Sequence, residues 1–309
     1  MSTAVMEPSA KAEAGKAKRE VSPFTVLFLI IGLVCLLYPV VATWSNNQNQ
    51  SETSRIFAGQ VEDQDRVAER LDSIERAKRW NVEHANAPIL DPWLTRVRED
   101  NPLYLDYLKQ LNTEPIMGRV VIPSINSDLP LRHGTTEEVL KSGVGHLFGS
   151  SLPTGGPGTH AVITGHTGLA DSTLWDNLRS VEVGDAVYVQ NAAEKLKYEV
   201  HNIEVVLPEQ TESLRVEEGK DLLTLITCTP YGVNSHRLLV HAHRVPMDPE
   251  DEQALAKTYT PWQWWMTAAV AIALIALAFM IAWRWWSRRN KKRATDPRAE
   301  TMENPNDES

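Results

Sequence analysis

The sequence predicts a mainly β domain, a closed or nearly closed barrel, held between two transmembrane helices. Seven short strand-like runs follow one another within residues 116–245, and no long helical crossover separates them. Uncharged apolar blocks of about 20 residues flank this region, at 24–43 and 262–281. A helix rising ~1.5 Å per residue would cross a hydrocarbon core of roughly 30 Å with either block.

The first apolar block is interpreted as a membrane anchor. Four basic residues precede it, which is also the pattern of a cleaved signal peptide. The apolar run is longer than the ~7–15 residues of a signal-peptide core, and no clear small-x-small cleavage site follows it. We therefore expect a transmembrane helix at 24–43.

Basic residues crowd the outer flanks of the two spans. Four precede the first span and six lie within 284–293, so the positive-inside rule places both termini in the cytoplasm. The expected tails are 1–23 and 284–309, the latter basic and disordered. The segment between the spans holds 20 Lys and Arg against 32 Asp and Glu, a balance of −12, so nucleic acid is not an expected partner. The predicted location is the cell membrane, with this segment extracellular.

The extracellular segment divides into a helical part and the barrel. Within 44–115, the stretch SNNQNQSETS at 45–54 predicts a polar tether, and apolar periodicity predicts helices at 55–80 and 102–111. The barrel is expected at 116–246, followed by a linker at 247–261 and the second transmembrane helix at 262–283. The predicted strands are 116–122, 129–133, 160–165, 186–191, 195–207, 222–227 and 236–245.

Cys228 is the first candidate for chemistry. The other cysteine, Cys35, lies in the first apolar block, so the extracellular part has one thiol and cannot be a disulfide scaffold. Cys228 ends an apolar strand and a turn, TPYG, follows it, which is where a scaffold presents catalytic side chains. A packed core cysteine is the alternative.

A thiol nucleophile needs a base or a positive field, because the thiolate is the reacting species. A hairpin through the turn would bring Arg237 beside Cys228, although a surface arginine is the simpler interpretation. His166 follows an apolar strand between Gly165 and Gly168 and is the better candidate for its partner. His236 adjoins Arg237, but adjacent strand residues point to opposite faces. His146 and His160 are alternatives for which a structural role is preferred, and five histidines are expected to be structural or on the surface: His84, His133, His201, His241 and His243. No metal site and no cofactor are expected, since no compact cluster has ligand-like spacing.

Four stretches together resemble the class C sortases, membrane-anchored transpeptidases that polymerise pilins on Gram-positive surfaces. They are TLITCTPYGVNSHRLLV (224–240), THAVITGHTGL (159–169), GHLFGSSLPTGG (145–156) and MGRVVIP…LPLRHGT (117–135). The resemblance extends from about 89 to 245. A second membrane span also fits this class better than it fits the housekeeping sortases.

The resemblance implies an eight-stranded sortase β-barrel with short N-terminal helices and a lid loop. It implies that Cys228 is the nucleophile, His166 the acid/base and Arg237 the substrate and oxyanion ligand, with Thr227 and Gly165 next to the bound substrate. Its lid motif matches Asp91, Pro92 and Trp93, in which the carboxylate is expected to pair with Arg237 and the indole to cover the thiol.

The implied substrate is a pilin or surface protein with an LPxTG-like sorting signal, cut between Thr and Gly and joined to a pilin lysine amine. Three alternatives remain: a housekeeping sortase that uses a cell-wall precursor, a hydrolytic cysteine protease, and a non-catalytic membrane-anchored binding domain. Thr167 and Trp175 depart from common family residues and leave the preferred sorting signal open. LPTG at 152–155 is interpreted as a coincidence in a turn.

Overall fold

The computed structural model describes residues 23–85, 87, 89, 91, 97–98 and 100–294. Within this part of the chain, eight strands close into a barrel in the order β1-β2-β3-β4-β7-β8-β6-β5. The strands are β1 Gly118–Ile122, β2 Ser127–His133, β3 Val144–His146, β4 Thr159–Thr164, β5 Ala186–Asn191, β6 Lys195–Val206, β7 Asp221–Thr229 and β8 His236–Val245.

Side chains alternate between the two faces of each strand, as the pleat requires. Residues such as Ile163, Leu225 and Val240 fill the barrel interior. Their neighbours in sequence point outwards, and outer positions of β4, β7 and β8 form a second apolar cluster with two leucines from the connecting segments. This outer cluster consists of Leu147, Val162, Leu214, Ile226 and Leu239.

The eighth strand is β3, which the residue pattern did not predict. It has only three residues, VGH, which is too short to display an alternating pattern. It nevertheless pairs with β2 and β4 and closes the barrel. About 44% of the structure is helical, so the description "mainly β" holds for the barrel and not for the whole chain.

The first long helix, α1 Pro23–Val61, corrects the polar tether predicted at 45–54. The helix continues through this stretch because one face of it is buried at helical spacing, at Val40, Thr43, Asn47, Ser54 and Phe57. Tertiary hydrogen bonds hold Asn47, Gln50 and Ser51 on that face, and composition alone cannot display such contacts.

The remaining helices are α2 Val67–Glu83, α3 Pro102–Tyr107, α4 Glu137–Ser142, α5 Pro249–Ala256 and α6 Trp264–Ala294. Helix α5 lies in the predicted linker. An Asp248–Asp251 capping box begins it, and Leu255 packs against Val121 and Tyr188 on the outside of the barrel. The segment between barrel and second span is thus partly helical and docked.

Two helices in the described part of the chain are long and apolar enough to cross a membrane, at Phe24–Val61 and Trp264–Trp286. They contact each other where Val40 of α1 packs against Met266 and Ala269 of α6. Since α1 runs towards the barrel and α6 away from it, the two helices are antiparallel. This arrangement is consistent with membrane anchoring through both helices.

Candidate active site

Strands β7 and β8 place Cys228 and Arg237 side by side. The hairpin aligns them as direct cross-strand partners, and residues opposite each other in an antiparallel pair share a face, with Cβ atoms about 5 Å apart. That face is the outer one, because Ile226 and Leu239 on the same side belong to the outer cluster. The hairpin predicted from the sequence is confirmed.

Strand β4 brings His166 to the same place. It runs parallel to β7, with Thr164 paired to Ile226, and the Gly165 N–H donates to the Ile226 carbonyl at 3.0 Å. Extending this register by two residues, past the end of β4, places His166 opposite Cys228. The three residues therefore lie at the same end of three adjacent strands.

The Cys228 thiol is enclosed. The residue is 7% exposed, and burial raises the pKa of the thiol because it disfavours the thiolate. The positive charge of Arg237 lowers this pKa, whereas the negative charge of Asp91 raises it again. In this arrangement the thiol is held in its protonated, unreactive form.

Arg237 donates four hydrogen bonds to protein groups. Its Nε and Nη2 donate to the two carboxylate oxygens of Asp91, at 2.7 and 3.1 Å. Its Nη1 donates to the carbonyls of Asn234 and His236, each at 3.1 Å. The side chains of the Arg237–Asp91 pair are 6% and 5% exposed. The ion pair expected between the lid carboxylate and Arg237 is thus present.

Ile89, two residues before Asp91, lies against the outer cluster. Ile89 packs against it together with Val206, and the space left between Asp91, Ile226 and Arg237 is about 10 Å³, too little for a peptide side chain. Pro92 and Trp93, the other two predicted lid residues, lie outside the described residues.

Gly165 and Thr227, the residues immediately before His166 and Cys228, are hydrogen-bonded to each other. The Thr227 hydroxyl donates to the Gly165 carbonyl at 2.8 Å, and Thr227 is buried. A Cβ at position 165 would lie 2.7 Å from a ring carbon of Trp175, so glycine is needed there for the indole rather than for an incoming peptide. Their expected place beside the substrate remains a prediction.

Glu137 is a charged neighbour that the sequence analysis did not identify. Its Oε2 lies 3.6 Å from His166 Nε2, at the start of α4, where Thr136 caps the helix. The contact joins two distant parts of the chain, so no local motif could have indicated it.

His146 and His160 have structural roles, in agreement with the sequence analysis. His146 is buried between the Tyr107 hydroxyl and the Ser151 carbonyl, at 3.0 and 2.8 Å. His160 lies 2.7 Å from the Thr224 hydroxyl. Burial lowers the pKa of each to about 4, so both are neutral at physiological pH.

Comparison with known proteins identifies relatives of the barrel. A family model for the sortase domain matches residues 120–245. Sortase C-1 from Actinomyces oris is 55% identical in a match that covers 57% of this chain and 98% of that one, with a TM-score of 0.56. Sortase A from Corynebacterium diphtheriae is 48% identical over 68% of this chain and 97% of that one, with a TM-score of 0.59.

Sequence relatives match over a shorter region. Sortase A from Bacillus anthracis is 31% identical over 130 residues, which is 42% of this chain and 60% of that protein. The chain spans between 52% and 63% of the length of the curated relatives that it matches. The solved structures, in contrast, are covered almost completely.

Proposed function

This chain belongs to the sortase family of cysteine transpeptidases, and we propose that it is a class C member that polymerises pilins. It would cut an LPxTG-like sorting signal between Thr and Gly and join the new acyl group to a pilin lysine. The observation that supports this class is the bidentate contact of Asp91 with Arg237, because the resemblance to class C implies a lid motif whose carboxylate pairs with this arginine.

In the first step the Cys228 thiolate attacks the threonine carbonyl carbon of the sorting signal. A tetrahedral oxyanion forms, the C–N bond to glycine breaks, and a thioester remains on the sulfur. The imidazolium of His166 gives its proton to the leaving glycine amine. Arg237 supplies permanently charged donors next to the sulfur, where the oxyanion develops.

In the second step the ε-amine of a pilin lysine attacks the thioester carbon. His166, now neutral, takes the proton of that amine as the C–S bond breaks. The products are an isopeptide bond and the regenerated thiolate–imidazolium pair. Because the sequence of proton transfers restores both residues, the enzyme needs no cofactor for this chemistry.

The outer cluster is the proposed binding surface for the apolar residues of the sorting signal. It is an apolar patch that leads to Cys228 along β4 and β7, and Ile89 packs on it in the closed arrangement. A bound Leu-Pro segment would take the place of Ile89. Substrate binding is therefore expected to require displacement of the lid segment.

The proposed location is the cell membrane, with the barrel outside and both termini in the cytoplasm. The antiparallel contact between α1 and α6 supports termini on one side of the bilayer. The basic residues that flank both apolar segments support the cytoplasmic side. The site would then face pilins or surface proteins outside the cell.

The test uses the full-length protein in nanodiscs with an LPxTG peptide. Wild type should form a thioacyl intermediate visible by mass spectrometry, and Cys228→Ala should form none. Arg237→Lys should lose roughly 100-fold in kcat/KM, since an ammonium cannot reproduce the bidentate donor geometry. Turnover by Cys228→Ala at the wild-type rate would contradict the mechanism.

The acceptor amine distinguishes a class C sortase from a housekeeping sortase. The housekeeping alternative stays open because some relatives of this chain are called sortase A. A pilin domain and an amine mimic of a cell-wall precursor are offered together to the thioacyl enzyme. Linkage to a pilin lysine, located by peptide mapping, supports polymerisation. Exclusive transfer to the cell-wall amine would assign the housekeeping role instead.

A further inference from the structure

We infer that helix α1, besides anchoring the chain, holds the loop that begins with His166, and that Asn47 is a positioning residue for that histidine. The inference rests on the acid/base role proposed above for His166. It concerns the contact between the membrane-proximal half of α1 and residues 171–173, which follow β4 in the chain.

Asn47 joins three segments at one point. Its Nδ2 donates to the Thr173 hydroxyl at 2.9 Å and to the Pro261 carbonyl at 3.0 Å. Its Oδ1 accepts from the Thr173 N–H at 3.0 Å. The residue is 1% exposed. One amide thus connects α1 with the His166 loop and with the chain just before α6.

Neighbouring side chains of α1 extend the same contact. Gln50 donates to the Ser172 hydroxyl at 2.9 Å, and Asn46 donates to the Asp171 carbonyl at 2.7 Å. Three amides of one helix thus bind three consecutive loop residues. A helix that served only to cross the membrane would have no need of this pattern, since polar residues just outside the bilayer are solvated equally well by water.

The loop transmits this contact to His166 through short hydrogen bonds. The Trp175 N–H donates to the His166 carbonyl at 3.1 Å. Asp176 accepts from the Thr167 hydroxyl at 2.9 Å and from the Gly168 N–H at 2.7 Å. Asp176, three positions beyond Thr173, therefore fixes the two residues that immediately follow His166.

Packing offers little to replace the Asn47 hydrogen bonds. A cavity of about 300 Å³ borders the loop, with Thr43, Ser172, Tyr231 and Trp265 in its wall. If the amide is removed, the loop has open space to move into. Small displacements of an acid/base group reduce turnover steeply, because proton transfer requires hydrogen-bond geometry.

The experiment measures turnover of an LPxTG peptide by the full chain in nanodiscs. Asn47→Ala should lower kcat about tenfold with KM changed less than about twofold, because the loop moves but the outer cluster does not. Alkylation of Cys228 should keep the wild-type rate. Asn49→Ala is the matched control, since Asn49 is exposed on the same helix, and it should behave as wild type.

Thr173→Val tests the contact from the other side. It removes the hydroxyl that accepts from Asn47 Nδ2 but keeps the backbone bond, so a smaller fall in kcat is expected. In the double variant the two effects should not add. If Asn47→Ala does not fold, the fall in kcat of Thr173→Val alone tests the inference.

Three results would overturn the inference: an unchanged kcat in Asn47→Ala, an equal fall in Asn49→Ala, or strictly additive effects of Asn47→Ala and Thr173→Val. Each of them presupposes an active wild type. If wild-type protein forms no thioacyl intermediate, the proposed function fails instead, so the two failures are distinguishable.

Discussion

Replacing Asp91 with asparagine should open the active site. The substitution keeps the shape of the side chain but removes the charge from a buried bidentate pair, leaving Arg237 without its counter-charge. Hydrogen bonds to charged groups contribute about 1.5–3 kcal/mol each, and removing one member of a buried pair costs about 3–5 kcal/mol. Asparagine retains one acceptor oxygen, so we take about 3 kcal/mol as the free energy by which the substitution destabilises the closed arrangement. This corresponds to a roughly 100-fold larger open population.

The reactivity of the thiol reports that population. Asp91→Asn should accelerate alkylation of Cys228 by iodoacetamide roughly 10- to 100-fold at neutral pH, since Ile89 still packs on the outer cluster and retains part of the closure. A second effect acts in the same direction. Asp91 raises the pKa of the thiol, so its removal increases the thiolate fraction and moves the alkylation profile to lower pH.

Asp100→Asn is the matched control. Asp100 pairs with Arg98 at 2.7 Å, but these side chains are 69% and 82% exposed, and exposed pairs contribute only about 0–1 kcal/mol. Its alkylation rate should equal that of wild type. A wild-type rate in Asp91→Asn, or equal acceleration in Asp100→Asn, would refute the reasoning that the buried pair holds the lid closed.

Three further predictions concern the same domain. Glu137→Gln should lower kcat/KM severalfold, because it removes a negative charge 3.6 Å from the ring that carries the transferred proton; Glu138→Gln, on the same short helix, should not, and equal losses would contradict this. Trp93→Ala should speed alkylation of the thiol, as the lid motif implies, and an unchanged rate would favour a simple surface loop. The stabilisation that the neutral forms of His146 and His160 provide should be fully present above pH ~6.5 and be lost as pH drops towards 4, since burial lowers both pKa values to about 4 and the unfolded chain takes up the protons first. Burial raises the pKa of Asp128 to about 6, which offsets part of this loss, so a net fall of a few kcal/mol in the free energy of unfolding is expected. Urea midpoints measured across this range check it, and midpoints independent of pH would contradict it.

The barrel was largely predictable because strand alternation is a local signal. Seven strands follow from short runs of residues, and only β3 is too short to display the pattern. The polar tether was predicted wrongly for the opposite reason. SNNQNQSETS resembles a solvated linker in composition, whereas Asn47 and Gln50 are satisfied by loop residues more than a hundred positions away. Composition indicates that a side chain is polar but not which group it binds.

The candidate site also has a part that could be predicted from the sequence and a part that could not. The pairing of Cys228 with Arg237 follows from a hairpin of neighbouring strands and could be proposed from the residues. His166 lies at the end of an apolar strand between two glycines, which made it the better candidate among nine histidines. The parallel pairing of β4 with β7 is distant in sequence, so its place opposite the thiol could not be derived from the residues, and its acid/base role came from the family resemblance. Glu137 and Asn47 belong to no motif, and their contacts appear only when the chain is folded.

The closed arrangement links catalysis to substrate binding. Asp91 accepts from two nitrogens of Arg237 and backbone carbonyls accept from the third, so four of the five N–H donors of the guanidinium are engaged until the carboxylate leaves. The same carboxylate raises the pKa of the thiol. One displacement therefore uncovers the sulfur, favours the thiolate and releases the oxyanion donors.

A ligand that binds only the open form has an apparent affinity that is reduced in proportion to the fraction of open molecules. Loosening the lid should therefore lower KM for a sorting peptide by a factor similar to the gain in alkylation rate. A lid that merely shielded the thiol from small electrophiles, without occupying the peptide's place on the outer cluster, would leave KM unchanged.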